Sequence, residues 1–251
     1  MKLFYQGEPG AYSHVVASWA APFFGADESE TEGLKTFADV WKAVENGGIG
    51  ILPIENSYAG SIYDNLYGFL RYPFVTLAEY ALPVRHCLLS HETEISAIRK
   101  AYSHPQALAQ CYGFLKANGI ESVVHADTAG AAKELYRTCE PGAASVSSSK
   151  AAEIYGLNVL AEGIQDQQGN TTRFFVVARP DMAESVVSEF PKTGKTSIAF
   201  EVKNVPAALY KCLGAFATHG VNLTKIESLP SLGDPFSYVF WIDFEGGVET
   251  E

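Results

Sequence analysis

Asn170-Thr171-Thr172-Arg173-Phe174-Phe175-Val176-Val177 joins three amide or hydroxyl side chains and one guanidinium to an apolar run of strand formers. A polar cluster therefore stands at the mouth of a buried strand. Arg173 cannot lose its proton, and its planar fork suits a carboxylate held bidentately. A neighbouring acidic side chain that caps the strand end would satisfy it equally well.

Outward from this stretch the same arrangement recurs. Leu3 to Tyr5 reads as a strand, Gly7-Glu8-Pro9-Gly10 as a turn and Ser13 to Phe24 as a helix. That turn is either a plain tight turn or an anion site at a helix start, where unpaired N–H groups point outward. Thr36 starts a second helix that Gly47 stops, and Ile49 to Pro53 reads as a buried strand. It delivers Ile54-Glu55-Asn56-Ser57 ahead of a helix from Ile62 to Leu70, with Ser61 as its N-cap. Phe74 to Leu82 and Val84 to Leu89 suit strands that cross from one lobe to another. Ala101 and Tyr102 lead into Ser103-His104-Pro105-Gln106, and a helix from Pro105 to Gly119 sets Gln106 and Gln110 one turn apart. His104 is the best-placed histidine for chemistry, but just before the proline of a helix start such a residue is more often structural. Val123 to Ala126 precedes Asp127-Thr128-Ala129-Gly130, and Ala143 to Ser147 precedes a helix to Tyr155. Repeated strand, polar loop and helix units predict an α/β fold, with parallel sheets covered by helices on both faces. Ligands then lie at the carboxyl ends of the strands.

Composition narrows the partners. The formal charge of -11 over 251 residues, without a Lys/Arg cluster, excludes a nucleic-acid face. An anionic substrate must then be held by local donors and helix starts. Four cysteines, Cys87, Cys111, Cys139 and Cys212, lie far apart with no C-x-x-C, so neither a metal site nor a disulfide framework is expected. No apolar stretch reaches membrane-spanning length and no secretory leader is read at Met1, so a cytoplasmic protein is expected. Nucleotide loops, the G-x-S-x-G elbow and H-E-x-x-H are all missing. Pro180 to Lys195 lacks apolar periodicity and reads as a linker. Beyond it, Thr196 to Val202, a helix from Pro206 to His219, Val221 to Ile226 and Phe236 to Phe244 form a small β-α-β-β unit.

Gly7-Glu8-Pro9-Gly10-Ala11-Tyr12-Ser13-His14, Pro53-Ile54-Glu55-Asn56-Ser57, Ser103-His104-Pro105-Gln106-Ala107-Leu108, Asp127-Thr128-Ala129-Gly130-Ala131-Ala132 and Asn170-Thr171-Thr172-Arg173-Phe174, in that order, closely resemble prephenate dehydratase. Asn222-Leu223-Thr224-Lys225-Ile226-Glu227-Ser228 is similar to the ACT regulatory domain that follows it. The resemblance implies a bilobed, periplasmic-binding-protein-like catalytic domain over 1–180, its second lobe roughly 82–162, and an ACT-like α+β domain over 194–251. The implied reaction turns prephenate into phenylpyruvate, water and carbon dioxide without a cofactor. On matching positions, Thr172 would donate to the leaving hydroxyl with Glu55 as a partner, Arg173 would pair with a carboxylate and Phe174 would wall the ring. Asn56, Ser57, Ser103, Gln106, Gln110 and Thr128 would hold the substrate. The same chemistry on arogenate and a non-catalytic amino-acid sensor are the alternatives.

For regulation, the resemblance implies a phenylalanine effector bound at Ala207, Leu209, Asn222, Glu227 and Ser228, in a homodimer or homotetramer. Ala207 and Leu229 stand where the family has a glycine and an arginine. The tail stops at Glu251 after its third strand, without the family's second helix and fourth strand. A weakened phenylalanine response and an uncovered sheet face are expected from these departures.

Overall fold

The computed structural model describes residues 1–183, 190, 194–234 and 236–247. The chain divides into two units, 1–190 and 191–251. In the first, strand β1 (Leu3–Gln6) leads through the glycine turn into helix α1 (Tyr12–Ala20). Strand β2 (Thr31–Leu34) then leads into α2 (Phe37–Glu45). The Thr36 hydroxyl accepts the Asp39 N–H while the Asp39 carboxylate takes the Thr36 N–H, which fixes where α2 begins. Next come β3 (Ile49–Asn56), the short β4 (Gly60–Ser61), α3 (Tyr63–Arg71) and β5 (Val75–Pro83). After a crossing at Val84 to His86 the chain builds β6 (Cys87–Ser90), β7 (Lys100–Ser103), α4 (Pro105–Gln110), α5 (Tyr112–Ala117) and β8 (Glu121–Val124). It continues with α6 (Thr128–Thr138), β9 (Ala143–Ser147), α7 (Ser149–Tyr155) and β10 (Asn158–Glu162). It returns as β11 (Thr171–Ala178), followed by α8 (Pro180–Ala183).

These strands make two mixed sheets, ordered β2-β1-β3-β11-β5 and β10-β6-β9-β7-β8, with β4 off the path on β3. The expected all-parallel sheets are corrected: besides the short β4, antiparallel on β3, each sheet has one reversed strand. β11 runs antiparallel to β3 and β5, and β6 antiparallel to β9 and β10. These are the two strands that enter a sheet from the other one. The crossing leaves β5 at Pro83, which pairs with Thr171, and reaches β6 at Cys87, which pairs with Ser147. Both connections thus run along the edge where the other strands have their carboxyl ends. A strand that starts there can only run backwards.

Two further local expectations change. Ser61 does not cap α3, whose N-cap is Ile62; it pairs instead with Glu55 as part of β4. The helix expected from Pro105 to Gly119 is interrupted at Cys111. The Gly7 to Gly10 turn is a clamp between the sheets, with the plain-turn reading the better one. Lys133 reaches Glu8 at 2.7 Å, the Tyr155 hydroxyl donates to the Pro9 carbonyl at 3.0 Å, and the Ser148 hydroxyl donates to the Gly10 carbonyl. Gly10 has φ +90°, and a Cβ there would lie 2.7 Å from Ala151 Cα. Of the expected linker, α8 belongs to the first unit, and 184–189 and 191–193 lie outside the described residues. Phe190 is buried against Phe23 and Phe24.

In the second unit β12 (Lys195–Glu201), α9 (Ala208–Thr218), β13 (Leu223–Pro230) and β14 (Tyr238–Glu245) form an antiparallel sheet, ordered β12-β14-β13. The β-α-β-β order is the one read from the sequence. α9 lies on the side of Phe244, whose ring centroid is 5.3 Å from that of Phe216. The side expected to be uncovered is corrected: Leu229, Trp241 and Asp243 are buried there. Ser197 and Trp241 both donate to the Asp243 carboxylate, at 2.7 and 2.9 Å, so that buried charge is hydrogen-bonded.

Candidate active site

The carboxyl edge of the first sheet carries one chain of hydrogen bonds whose direction is set by main chain. Asn56, the last residue of β3, accepts the N–H groups of Tyr58 and Ala59, both at 3.0 Å, through Oδ1. Its Nδ2 therefore faces the other way. It donates to Asn170 Oδ1 at 2.7 Å and to Thr172 Oγ1 at 2.9 Å. Asn170, with its carbonyl so used, donates Nδ2 to Gln110 Oε1 at 3.1 Å. Gln110 lies at the end of α4, and the same oxygen meets His86 Nε2 at 2.9 Å. His86 Nδ1 meets the Tyr12 hydroxyl at 2.9 Å. The six residues come from β3, β11, the loop before it, α4, the crossing and α1, so this chain ties the two lobes together.

Two consequences follow for chemistry. Thr172 is 9% exposed, and because its oxygen accepts from Asn56, its own O–H is left to donate. Gln110 lines a cavity of about 350 Å³ together with Gln106, Tyr58, Gln165, Asp166 and Asn170. With its carbonyl taken by two donors, Gln110 presents its amide N–H groups. Burial lowers the His86 pKa from its ordinary value of 6.5, against a smaller opposing effect of the Gln110 bond, and burial raises that of Tyr12. Imidazole and phenol are both neutral.

For Arg173 the structure shows pairing with neighbouring acidic side chains, one of the two readings of its guanidinium. Side chains alternate along a strand, so Thr172 and Arg173 face opposite sides of β11. Arg173 pairs with Glu55 on β3 at 2.8 Å and Glu79 on β5 at 2.7 Å, and its guanidinium lies over the Phe175 ring. Its carboxylate partners are thus in the protein, on the two flanking strands. Glu55 is an ion-pair partner of Arg173. Phe174 is 2% exposed in the core with Leu3, Tyr5 and Val16, where it backs the sheet. Ser103 is fully buried and its hydroxyl donates to the Val146 carbonyl at 2.6 Å, a bond between β7 and β9. Ser57 is exposed and its hydroxyl accepts the Thr171 N–H at 3.0 Å, holding the loop that carries Asn56. Thr128 opens α6, whose N-cap is Asp127, and no described contact brings it to the chain of amides. His104 caps α4 through Nδ1, as read.

His86 carries no functional signal in the sequence, and Tyr12 carries none beyond its place in the Gly7 to His14 stretch. A lone histidine before a cysteine carries no spacing signal, and its partners come from segments far along the chain. A second and larger cavity, about 450 Å³, is lined by Gln6, Trp41, Asp64, Tyr67, Arg71 and Tyr72 and holds none of the linked residues.

In the second unit, Ala207 sits at φ 58°, ψ 17° as N-cap of α9, the left-handed region where a glycine is at ease. Ala207 and Leu209 line a cavity of about 300 Å³ with Asn204, Tyr210, Phe236 and Tyr238. Asn222 precedes β13, while Glu227 and Ser228 lie on it, and none of the three lines this cavity. Leu229 is fully buried, so an arginine at this point could not keep the same setting.

A family model described as prephenate dehydratase matches residues 3–182. The arogenate dehydratase/prephenate dehydratase 2, chloroplastic, of Arabidopsis thaliana is 40% identical over 100% of this chain and 67% of its own length. The chain spans about two thirds of the curated relatives it matches, 66% in the case of arogenate dehydratase 2 of Petunia hybrida. Among solved structures, GqqA, described as a novel type of quorum quenching acylase, is 34% identical with a TM-score of 0.83, covering 99% of this chain and 89% of that one. Prephenate dehydratase from Arthrobacter aurescens in complex with L-Phe is 27% identical with a TM-score of 0.77, covering 99% and 82%.

Proposed function

The chain belongs to the prephenate dehydratase family, and we propose that it converts prephenate, with one proton, into phenylpyruvate, carbon dioxide and water. The observation that carries this is the Thr172 hydroxyl, oriented by Asn56 so that its proton is the part left to give. The ring carboxylate leaves as carbon dioxide, its bonding pair aromatises the ring, and the ring hydroxyl departs as water, the one proton consumed coming from solvent while Thr172 hydrogen-bonds the leaving oxygen. A threonine is too weak an acid to transfer its proton beforehand. Its contribution is a preorganised hydrogen bond to charge as it develops on the leaving oxygen. Gln110 and Gln106 supply amide donors to the substrate's oxygens, which replaces positive charge in a chain of net charge -11.

Arogenate, the aminated substrate, is the second reading, and one residue favours it. Asp166 lines the same cavity; among the described residues its carboxylate accepts the Gly113 N–H alone, which leaves acceptor capacity for an ammonium. The relatives' names carry both substrates. Initial rates on prephenate and on arogenate decide between them, and no aromatic product from either would overturn both. For the second unit, its β-α-β-β order, its 300 Å³ cavity and a relative solved with L-Phe support an ACT-like module in an oligomer with a phenylalanine effector.

A further inference from the structure

His86 is 3% exposed and stands in the crossing between the two sheets, 2.9 Å from both Tyr12 and Gln110. Its main-chain N–H donates to Gln165 Oε1 at 3.0 Å, so the backbone that carries the ring is held as well. The direction of the bond at its Nε2 is fixed from the far end. Asn56 must show its NH2 because two main-chain N–H groups hold its oxygen; Asn170 must then show NH2 to Gln110, and Gln110 must show oxygen to the ring. His86 consequently carries its proton on Nε2 and accepts on Nδ1. The Tyr12 hydroxyl is within reach of two acceptors, Nδ1 and the Arg85 carbonyl at 3.0 Å.

Resting on the proposed dehydratase reading, we propose that His86 is a positioning residue: its Nε2–H holds the Gln110 carbonyl so that the Gln110 NH2 faces the cavity as a donor to a substrate oxygen. Without that donor, one partner of the Gln110 oxygen is gone. The amide is then free to turn, which places an acceptor where the substrate also brings oxygen. The ring touches no reacting atom, so its effect belongs to binding more than to turnover.

The chain's full length with His86→Gln, His86→Asn and Tyr12→Phe tests this. Glutamine puts an NH2 near the place of Nε2, whereas asparagine reaches only the place of Nδ1. His86→Gln should keep KM within about threefold of the parent, and His86→Asn should raise KM about 10- to 100-fold with a smaller change in kcat, the size of one lost bond to a charged oxygen. Tyr12→Phe should raise KM only a few-fold, since Nε2–H is retained. Equal KM for the glutamine and asparagine variants, with both folded by thermal melting, overturns the proposal. A long-range 1H–15N spectrum of the parent imidazoles, assigned by the signal lost in His86→Gln, should show the proton on Nε2; a proton on Nδ1 overturns it whether or not the chain turns over prephenate. A parent that makes no aromatic product from either acid overturns the reaction itself, a different result from any of these.

Discussion

Thr172 and Arg173 are adjacent in the chain and face opposite sides of one strand, so their substitutions should fail in different ways. Thr172→Ala should lower kcat roughly 10²- to 10⁴-fold, the usual worth of a positioned proton donor, with an unchanged urea midpoint. Arg173→Lys cannot span two carboxylates with one compact ammonium, so it should shift the unfolding midpoint and leave KM near the parent value. The reverse pattern would return Arg173 to the substrate. The buried histidines add a pH dependence. Burial lowers the folded pKa of His86 and of His14, so below their ordinary 6.5 the unfolded chain binds protons that the folded chain refuses. Stability is therefore complete above about pH 7 and falls as the pH drops through 6.5 towards the depressed folded values. Urea midpoints measured down to about pH 5 should show this decline, and His86→Gln should make it shallower. An equal decline in parent and variant would mean that the His86 proton is not linked to folding.

At the scale of elements, the glycine turn after β1 and the start of α7 hold the lobes at a close backbone approach. Gly10→Ala should cost about 2 to 4 kcal/mol, from a side chain at positive φ together with a Cβ pressed on main chain. Denaturant unfolding reads this, and a loss below about 0.5 kcal/mol would show that α7 simply moves away. The sequence made most elements readable because buried strands such as Ile49 to Pro53 are bounded by glycine, proline and capping residues. It hid others for physical reasons. β2 is Thr-Glu-Gly-Leu, which has no apolar alternation and is a strand only because it pairs along β1 at the sheet edge. The reversal of β11 and β6 follows from which edge the connections use, a matter of topology and not of any residue. Asn56, Thr172 and Gln110 were legible as polar side chains at strand and helix ends, and they do converge. The opposite facing of Arg173 was available in the twofold period of the strand, yet a guanidinium beside a threonine invites a shared role that the pleat forbids.

For the molecule as a whole, an excess of negative charge and a proposed dianionic substrate place binding on neutral donors, and the second unit carries the proposed control. Its sheet order leaves β12 and β13 at the two edges among the described strands, and edge strands invite pairing with another chain. Around the 300 Å³ cavity Tyr210 is 77% and Phe236 91% exposed, apolar area that a neighbouring copy would remove from water. Ala207 at positive φ carries roughly 1 kcal/mol of strain that glycine would not, and its methyl stands on the cavity wall. From these we expect a homo-oligomer in which phenylalanine acts weakly and Ala207→Gly strengthens its action. Phenylalanine titrated against initial rate, with mass followed by light scattering, checks both parts. Strong saturable inhibition of the parent would show that the alanine is no obstacle to the effector. A monomer at all concentrations would show that the edges and the aromatic side chains are tolerated in water by a single chain.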